Sequence, residues 1–252
     1  MVSAIVLAKN NSQSLIKALQ SLQWCDERIV LDDESEEPIE EVAGMHKARC
    51  IKNSVNGDFS KQRNLGLEKA KHEWVLFIDS DEIVSISLQN EILTVLETAA
   101  QDTHGYLIKR KDTMWGRKLN HGEWGNQSFI RLGRKDAGVW SGSVHETWGI
   151  HNKVASLQSA IIHFPHPTIS SFLEKIQFYT TIRSEELFKQ KKRTNHIEII
   201  LYPIGKFFQN FIFRLGILDG MPGLIISLLM SFHSYLVRAK LFMLWQNKRK
   251  TD

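Results

Sequence analysis

The stretch Trp74-Val-Leu-Phe-Ile-Asp79-Ser80-Asp81-Glu82 is the strongest guide to the fold of this 252-residue chain. Its apolar run, residues 74–78, predicts a buried strand, and acidic residues follow directly where that strand ends. Asp79 and Asp81 are separated by one residue, and such a pair of carboxylates can hold a hard divalent cation, Mg²⁺ or Mn²⁺. The spacing alone is equally compatible with a solvated acidic turn that caps the next helix.

The residues around this strand alternate between strand and helix patterns. Predicted strands cover residues 3–8, 28–31 and 48–51, and predicted helices cover residues 11–23, 60–70 and 86–99. Ser60 is the expected N-cap of its helix. This alternation predicts an α/β fold with a mainly parallel sheet and helices on both faces. Ligands bind such sheets at the carboxyl ends of the strands, where Asp32 and Asp79 both fall.

The pattern changes in the second half of the chain. Residues 105–164 read as short strands and loops rich in Gly and Trp. From Thr168 onward the pattern is helical, with expected breaks near Pro203 and at residues 219–223. The apolar run at the N-terminus is too short for the core of a signal peptide and is predicted to be the first strand.

Charge is divided unevenly along the chain. Residues 183–252 hold 12 basic and 5 acidic side chains, a balance of +7, whereas residues 1–182 hold 20 and 23, a balance of −3. Residues 222–237 are mostly apolar and are flanked by basic side chains, which fits an amphipathic helix lying in a membrane interface. A helix packed on the rest of the protein with a solvated basic end fits equally well. Two cysteines without ligand spacing favour a reducing compartment.

Several side chains outside the acidic loop suggest chemistry. Arg63 opens the helix before the strand and can make a two-point contact with a diphosphate, or it is an ordinary exposed helix residue. Asp32 can accept a hydrogen bond from a base N–H, or be solvated in its acidic run. His145 and His163 can complete a metal shell, although a lone His is more often structural. The Trp side chains can stack on sugars, but a core position is the safer interpretation for Trp124, Trp140 and Trp148.

In this order, the motifs resemble family 2 glycosyltransferases. The resemblance rests on Lys9-Asn10, the strand ending in Asp32, Gln62-Arg63-Asn64, and Phe77-Ile78-Asp79-Ser80-Asp81-Glu82. It continues to the end of the chain and is closest to the bacterial branch that adds β-linked glucose or heptose to the lipopolysaccharide inner core. The later motifs are His121-Gly122-Glu123-Trp124, Arg131-Leu132, Val144-His145-Glu146, Phe172-Leu173-Glu174-Lys175 and Gly216-Ile217-Leu218-Asp219-Gly220.

The resemblance implies roles for individual residues. Asp32 would contact the nucleotide base, Arg63 the diphosphate, and Asp79 and Asp81 the ribose and a divalent cation, with Asp81 the better metal ligand. The nucleotide-sugar site as a whole would comprise Ala8, Asn10, Asp32, Gln62, Arg63, Asp79 and Ser80. Glu146 is the predicted catalytic base, with Glu123 as its substitute. Glu123, Trp124 and His145 are the predicted acceptor-side residues.

The resemblance also implies the architecture and the activity. The fold would be a GT-A-like α/β fold: a Rossmann-type nucleotide-binding sheet, an acceptor-side α+β half, and a C-terminal helical extension. The corresponding segments are residues 1–100, 101–167 and 168–252. The chain would be an inverting, metal-dependent transferase that moves a sugar from a nucleoside diphosphate, UDP-glucose or a related donor. Its acceptor would be a lipopolysaccharide core or another surface glycan, reached from the cytoplasmic face of the bacterial membrane through peripheral contact of the C-terminal helices.

Other classes of protein fit less well. A nucleotidyltransferase that makes nucleotide sugars would open with a Gly-rich loop, and the first strand here ends in Ala8-Lys9-Asn10-Asn11. A basic nucleic-acid-binding protein would explain the tail but not an acidic cluster that repels phosphate, so nucleic acid is not an expected partner. A degenerate transferase that binds nucleotide without turnover stays open. Asn11 stands where the family often has Glu, and the segment after His121 departs from the family's usual pattern.

Overall fold

The computed structural model describes residues 1–55, 58–98, 100–125, 127–142, 146–165 and 168–251. The strands are β1 Val2–Ala8, β2 Glu27–Asp32, β3 Arg49–Lys52, β4 Trp74–Asp79, β5 Glu82–Val84, β6 Thr103–Met114, β7 Arg117–Lys118, β8 Gln127–Arg134, β9 Gly138–Ser141, β10 Thr147–Ile150 and β11 Lys153–His163. The helices are α1 Ser12–Ser21, α2 Ile39–Met45, α3 Phe59–Lys69, α4 Ile86–Glu97, α5 Ile169–Lys189, α6 His196–Phe208 and α7 Met221–Thr251. A π-helical turn, Gln209–Phe213, and a 3₁₀ turn, Gly216–Asp219, lie between α6 and α7.

The main sheet has the strand order β3–β2–β1–β4–β8–β6–β11–β5. Strands β3, β2, β1 and β4 are parallel, and β8 pairs antiparallel with both β4 and β6. The predicted mixed α/β fold with a mainly parallel sheet is confirmed. Because β2 and β4 lie on opposite sides of β1, the strand order reverses there, which is where open α/β sheets bind ligands.

Alternating side chains of the parallel strands pack on opposite faces of the sheet. On one face, Ala4, Val6, Val30, Leu76 and Ile78 pack with apolar residues of α1, α2 and α4. On the other face, Ile5, Leu31, Val75 and Phe77 pack with Leu67 of α3 and with Trp140 and Trp148 of the β9–β10 hairpin. The predicted helices on both faces, and the predicted core positions of Trp140 and Trp148, are therefore confirmed.

The described part of the chain forms two compact units. The sheet unit comprises Met1–Lys111 with Gln127–His163, and the helical unit comprises Asp112–Asn126 with Phe164–Asp252. In the helical unit, α7 packs against α5 and α6, and Met114, Leu119, Phe172, Ile176 and Ile226 form a small core. The three-segment division predicted from the sequence stays a prediction.

Within the helical unit, α7 combines length with apolar character. Among the described residues, Met221–Lys248 of this helix is long and apolar enough to cross a membrane, and its most apolar 18-residue window has a mean hydropathy of 1.3. Core helices of soluble proteins share these properties.

Helix α3 starts earlier than expected, and the prediction of Ser60 as its N-cap is wrong. The N-cap is Asp58, whose Oδ1 accepts a hydrogen bond from the backbone N–H of Lys61 at 3.2 Å. The Ser60 hydroxyl donates to the same oxygen at 2.6 Å. A carboxylate at the cap also interacts favourably with the positive end of the helix dipole, which explains why Asp58 takes this position.

Two further expectations for the second half are wrong. Strands β6 and β11 are long rather than short. In β6 the charged run after Ile108 has the composition of a loop, but Lys109 and Arg110 continue the strand and pair with β8. Helix α6 also continues through Pro203 instead of breaking there. The Ser231 hydroxyl of α7 donates to the Pro203 carbonyl at 2.7 Å, and packing on α7 compensates for the backbone bond that proline removes. The expected break at residues 219–223 is confirmed by Gly220, which adopts φ +68° between the 3₁₀ turn and α7.

Substitution of Gly66 tests the close approach of α3 to the sheet. A Cβ at Gly66 would lie 2.9 Å from Cγ2 of the fully buried Ile5, so we expect Gly66→Ala to lower the free energy of unfolding by about 1–3 kcal/mol. The control is Gly44→Ala in α2, where the added methyl meets nothing within 4 Å and should stabilise the helix by about 0.5–1 kcal/mol. Urea denaturation measures the free energy of unfolding of both variants. If both substitutions change it in the same direction, the close packing at Gly66 is contradicted.

Candidate active site

Register brings the ends of β1, β2 and β4 to one edge of the sheet. Ala8 pairs with Asp32, and Leu7 pairs with both Leu31 and Asp79. The backbone N–H of Ser80 donates to the Leu7 carbonyl at 3.0 Å, which extends the β4 end alongside β1. Ala8, Asp32, Asp79 and Ser80, all predicted site residues, are therefore gathered where the strand order reverses.

The loops after β1 and β2 are joined through Asn10. Its side-chain Oδ1 accepts from the backbone N–H of Glu36 at 2.8 Å, and its own N–H donates to Ser35 Oγ at 2.9 Å. Asn10 adopts φ +45°, a left-handed conformation that asparagine tolerates better than most residues. Asn10 thus has a structural role, and its predicted contact with a nucleotide stays a prediction.

Asp32 lies at the wall of a cleft beside this loop pair. Its side chain is buried, and Oδ1 accepts from the backbone N–H of Ser35 at 3.1 Å. The cleft has a volume of about 420 Å³ and is lined by Asp32, Ser35, Glu37, Pro38, Ile39, Glu40, Glu41 and Lys52. A buried carboxylate at the wall of a cleft is suitable for accepting a hydrogen bond from a ligand N–H.

Arg63 connects the end of β4 to Glu146. Its Nη2 donates to Asp79 Oδ1 at 2.9 Å, and its Nε donates to Glu146 Oε1 at 2.9 Å. The guanidinium lies 4.7 Å from the centre of the Trp140 ring, and the side chain is only 5% exposed. Arg63 is therefore a buried connector rather than an exposed helix residue.

The same helix carries two buried donor groups that lack acceptors among the described residues. Arg63 Nη1 and Gln62 Nε2 are both buried, and neither has a hydrogen-bond partner within the described ranges of the chain. Buried polar groups in native proteins are nearly always paired, so these two donors are suited to a ligand that carries acceptor oxygens.

Arg131 of β8 holds the acidic loop from the opposite side. Its Nη2 donates to Asp79 Oδ2 at 2.7 Å and to Glu82 Oε1 at 3.1 Å. Glu82 is fully buried, and its Oε2 accepts from the Asp79 backbone N–H at 2.9 Å. Sequence reasoning assigned Arg131 no role, because only the antiparallel pairing of β4 with β8 brings the two segments together.

Burial and neighbouring charges shift the pKa values of Asp79 and Glu82 in opposite directions. Burial alone would raise the pKa of Asp79, but the guanidinium groups of Arg131 and Arg63 outweigh it and hold that pKa well below its usual range. Burial raises the pKa of Glu82, with Arg131 opposing it. Asp79 is therefore a fixed anion, and its carboxylate oxygens are already engaged by arginines.

Asp81 meets His163 at the same edge. The His163 Nε2 lies 3.4 Å from Asp81 Oδ1, and both side chains are mostly buried. The contact arises because β11 pairs with β5, with His163 opposite Glu82 in register. Carboxylate oxygen and imidazole nitrogen are both ligands of Mn²⁺ and related cations. Among the described residues no group of three or more His, Cys, Asp or Glu side chains is placed to share a metal ion.

The predicted acceptor-side residues fall in different parts of the structure. Glu146 joins the Arg63 cluster of the sheet unit, and His145 lies outside the described residues. In the helical unit, Glu123 forms an ion pair with Lys206 at 2.9 Å, and Trp124 packs edge-on against Phe172. Trp124 is half-buried and packs against the small core of the helical unit.

Asp219 anchors the loop that carries Glu123. Its buried carboxylate accepts from the backbone N–H groups of Asn120 and His121 and contacts His121 Nδ1 at 2.8 Å. The sequence offered a signal for this contact, because His121 and Asp219 both belong to motifs shared with the family. The contact between these two residues, which are 98 positions apart, is seen only in the three-dimensional structure.

Comparison with known proteins adds to this geometry. Residues 3–156 match the model of glycosyl transferase family 2. An uncharacterized glycosyltransferase of Rickettsia bellii is 27% identical over 257 residues, which cover 95% of this chain and 85% of that protein. The lipopolysaccharide core biosynthesis glycosyltransferase LpsC of Rhizobium meliloti is 23% identical over 253 residues, which cover 96% of this chain and 92% of LpsC.

The glucosyl-3-phosphoglycerate synthase of Mycobacterium tuberculosis, in complex with Mn²⁺, UDP and phosphoglyceric acid, aligns with a TM-score of 0.48 at 14% identity, covering 77% of this chain and 80% of that chain. The parallel-dominated α/β sheet and the family match together define the class of the protein, a transferase with a GT-A-like fold. The chain belongs to glycosyl transferase family 2, and it is a glycosyltransferase.

Removal of Arg131 tests how strongly the buried charges depend on one another. Arg131→Met leaves the Asp79 and Glu82 carboxylates without this partner, and we expect a loss of about 3–5 kcal/mol in the free energy of unfolding. The control is Lys153→Met, which breaks an exposed ion pair with Asp102 and should cost less than about 1 kcal/mol. Denaturant titration of both variants measures the losses, and similar small losses in both would refute the role of Arg131.

Proposed function

We propose that this glycosyltransferase is an inverting enzyme that transfers a sugar from a nucleoside diphosphate, UDP-glucose or a related donor, to a lipopolysaccharide core or another surface glycan. The observation that carries the proposal is the contact of Asp81 with His163 at the end of β4, in a chain that belongs to family 2. Around this contact lie a buried Asp32 at the wall of a cleft and a Glu146 fixed by Arg63.

The donor would bind along the edge formed by β1, β2 and β4. Asp32 accepts from the base, supported by the cleft beside it, and Ala8 and Asn10 line the first loop. Asp79 and Ser80 lie next along the edge, where the ribose would sit. The open Nη1 of Arg63 and Nε2 of Gln62 would donate to donor oxygens.

A divalent cation, Mg²⁺ or Mn²⁺, fits the loop after β4. Asp81 and His163 would hold it, because they offer carboxylate oxygen and imidazole nitrogen close together, whereas Asp79 is engaged by arginines. With few protein ligands, such a cation keeps positions for phosphate oxygens of the donor. Once bound, it would offset the negative charge that develops on the departing nucleoside diphosphate.

Direct displacement at the sugar carbon needs a base that takes the proton of the acceptor hydroxyl. Glu146 is our assignment. Arg63 fixes its Oε1, and the same guanidinium binds Asp79, so the proposed base is attached to the frame that carries the acidic loop. Glu123 is the second candidate, and it is held by Lys206 in the helical unit.

The proposed acceptor is a glycolipid, and the proposed location is the cytoplasmic face of the bacterial membrane. Support comes from LpsC, which is described as acting in lipopolysaccharide core biosynthesis and matches nearly the whole chain. The basic, apolar C-terminal helices would provide peripheral contact with that membrane.

Loss of the metal ligand tests the central role of the acidic loop. We expect chelation with EDTA to stop UDP release from UDP-glucose in the presence of core-truncated lipopolysaccharide, and added Mn²⁺ to restore it. Asp81→Asn should lower the rate at least about a hundredfold, as loss of one preorganised electrostatic group does. The exposed control Asp102→Asn should leave the rate unchanged. Full activity of Asp81→Asn in the chelator would exclude a metal at this position.

Comparison of Glu146→Gln with Glu123→Gln identifies the base. Glutamine keeps an acceptor for Arg63 Nε but cannot take a proton, so Glu146→Gln should lower kcat by about 10²–10⁴-fold while UDP affinity is retained. Glu123→Gln should change kcat far less. Steady-state rates for both variants decide the assignment, and the reverse order would move the role of base to Glu123.

A further inference from the structure

Helix α6 exposes a continuous apolar stripe. Its side chains recur at helical spacing on one face and are exposed by 48–66%: Ile197, Ile200, Leu201, Ile204 and Phe208. None of the helix's residues from His196 to Phe208 is fully buried. A surface helix of a soluble protein normally carries charged and polar residues on its outer face, so this helix has the reverse arrangement.

The opposite face of α6 is occupied by α7. Ser231 donates to the Pro203 carbonyl, Arg238 lies over the Tyr202 ring at 4.1 Å, and His196 contacts Phe242. The orientation of α6 is therefore fixed by packing within the helical unit. Its apolar stripe has no place in that packing and faces outward.

The apolar surface continues through the turns that follow α6. Phe213 is 80% exposed, and Ile212, Leu215, Ile217 and Leu218 are each about half exposed. The backbone here is well anchored, because the Gly122 N–H donates to the Arg214 carbonyl and Asp219 is buried by its contacts with the loop at His121. We call the stripe of α6 together with these turn residues the apolar ridge.

Exposed basic side chains accompany the apolar ridge. Lys191, Lys192 and Arg193 precede α6 at one end, and Arg214 lies within the ridge, between the two turns. Across residues 183–252 the balance of charge is +7. Apolar side chains bordered by cations match the boundary between acyl chains and anionic headgroups of a bilayer.

We propose that the apolar ridge inserts into the headgroup boundary of an anionic membrane, with α6 lying in the membrane plane and its flanking cations on the lipid phosphates. This inference deepens the membrane contact proposed above and assigns it to α6 and the turns, not to residues 222–237 of α7. An interface helix of this kind needs one apolar face and a fixed opposite face, and α6 has both. A symmetric dimer formed through the apolar ridge would bring the same cations of two copies together, and like-charge repulsion opposes that arrangement.

Vesicle co-flotation tests the inference with the full-length protein. The probes are vesicles of phosphatidylcholine mixed with phosphatidylglycerol, and vesicles of phosphatidylcholine alone. We expect the wild-type chain to float with the mixed vesicles and to bind the neutral ones less. Ile200→Gln combined with Phe213→Gln should weaken binding at least about tenfold, because each removes a large apolar side chain from the lipid. Both positions are exposed, so folding is retained, and circular dichroism checks this.

The matched control is Ile86→Gln, which removes an equally exposed isoleucine, 76% accessible, from α4 of the sheet unit. It should float like the wild type. Equal flotation of the double variant and the wild type, or no flotation of the wild type, would overturn the inference. So would a wild-type dimer that becomes monomeric in the double variant without any lipid binding, since the apolar ridge would then be a protein interface.

Calorimetric titration with UDP and Mn²⁺ separates this inference from the proposed function. A double variant that binds nucleotide normally but no longer floats supports the membrane role of the apolar ridge. A wild-type chain that floats but binds no nucleotide would contradict the proposed donor site and leave the lipid contact standing.

Discussion

The paired guanidinium groups on Asp79 are the constraint on which the rest of the site depends. Arg63 donates to Oδ1 of Asp79, Arg131 donates to Oδ2 and at longer distance to Oδ1, and both arginines are buried. Each arginine also binds a second carboxylate, Glu146 or Glu82. Buried charges of this kind are costly to separate, so the β4 loop, the β9–β10 hairpin and β8 have to adopt one common arrangement.

That constraint divides the acidic loop into two functions. Asp79 supplies negative charge to the protein frame, and its pKa is held far below the usual range by the arginines that it binds. Asp81, two residues further, contacts His163. In the proposed site, a motif with two aspartates would therefore contain one structural anion, Asp79, and one ligand for a cation, Asp81. The proposed base, Glu146, is held by the same frame through Arg63, so donor and acceptor chemistry would share one rigid support.

Local sequence patterns were sufficient for the strands of the parallel part of the fold, but helix α2, Ile39–Met45, was not predicted. The apolar run of β4 and the periodicities of α1, α3 and α4 each reflect burial of neighbouring residues, which a sequence records directly. The contacts of Arg131 and His163 were not predictable in this way, because β8 and β11 reach the acidic loop only through sheet pairing. The predicted helix break near Pro203 was wrong for a related reason. Proline favours a break locally, but packing of α6 on α7 keeps the helix intact.

The most direct measurement of the central claim is isothermal titration of the wild-type protein with UDP, GDP and ADP, each with and without Mn²⁺. The proposed donor site, with a cation on the acidic loop and a nucleotide base in the cleft at Asp32, predicts that UDP binds, that its affinity depends on Mn²⁺, and that GDP and ADP bind much more weakly. Absence of binding by all three nucleotides, or UDP binding that is indifferent to Mn²⁺, would contradict the assignment of Asp81 and His163 to a metal-assisted donor site.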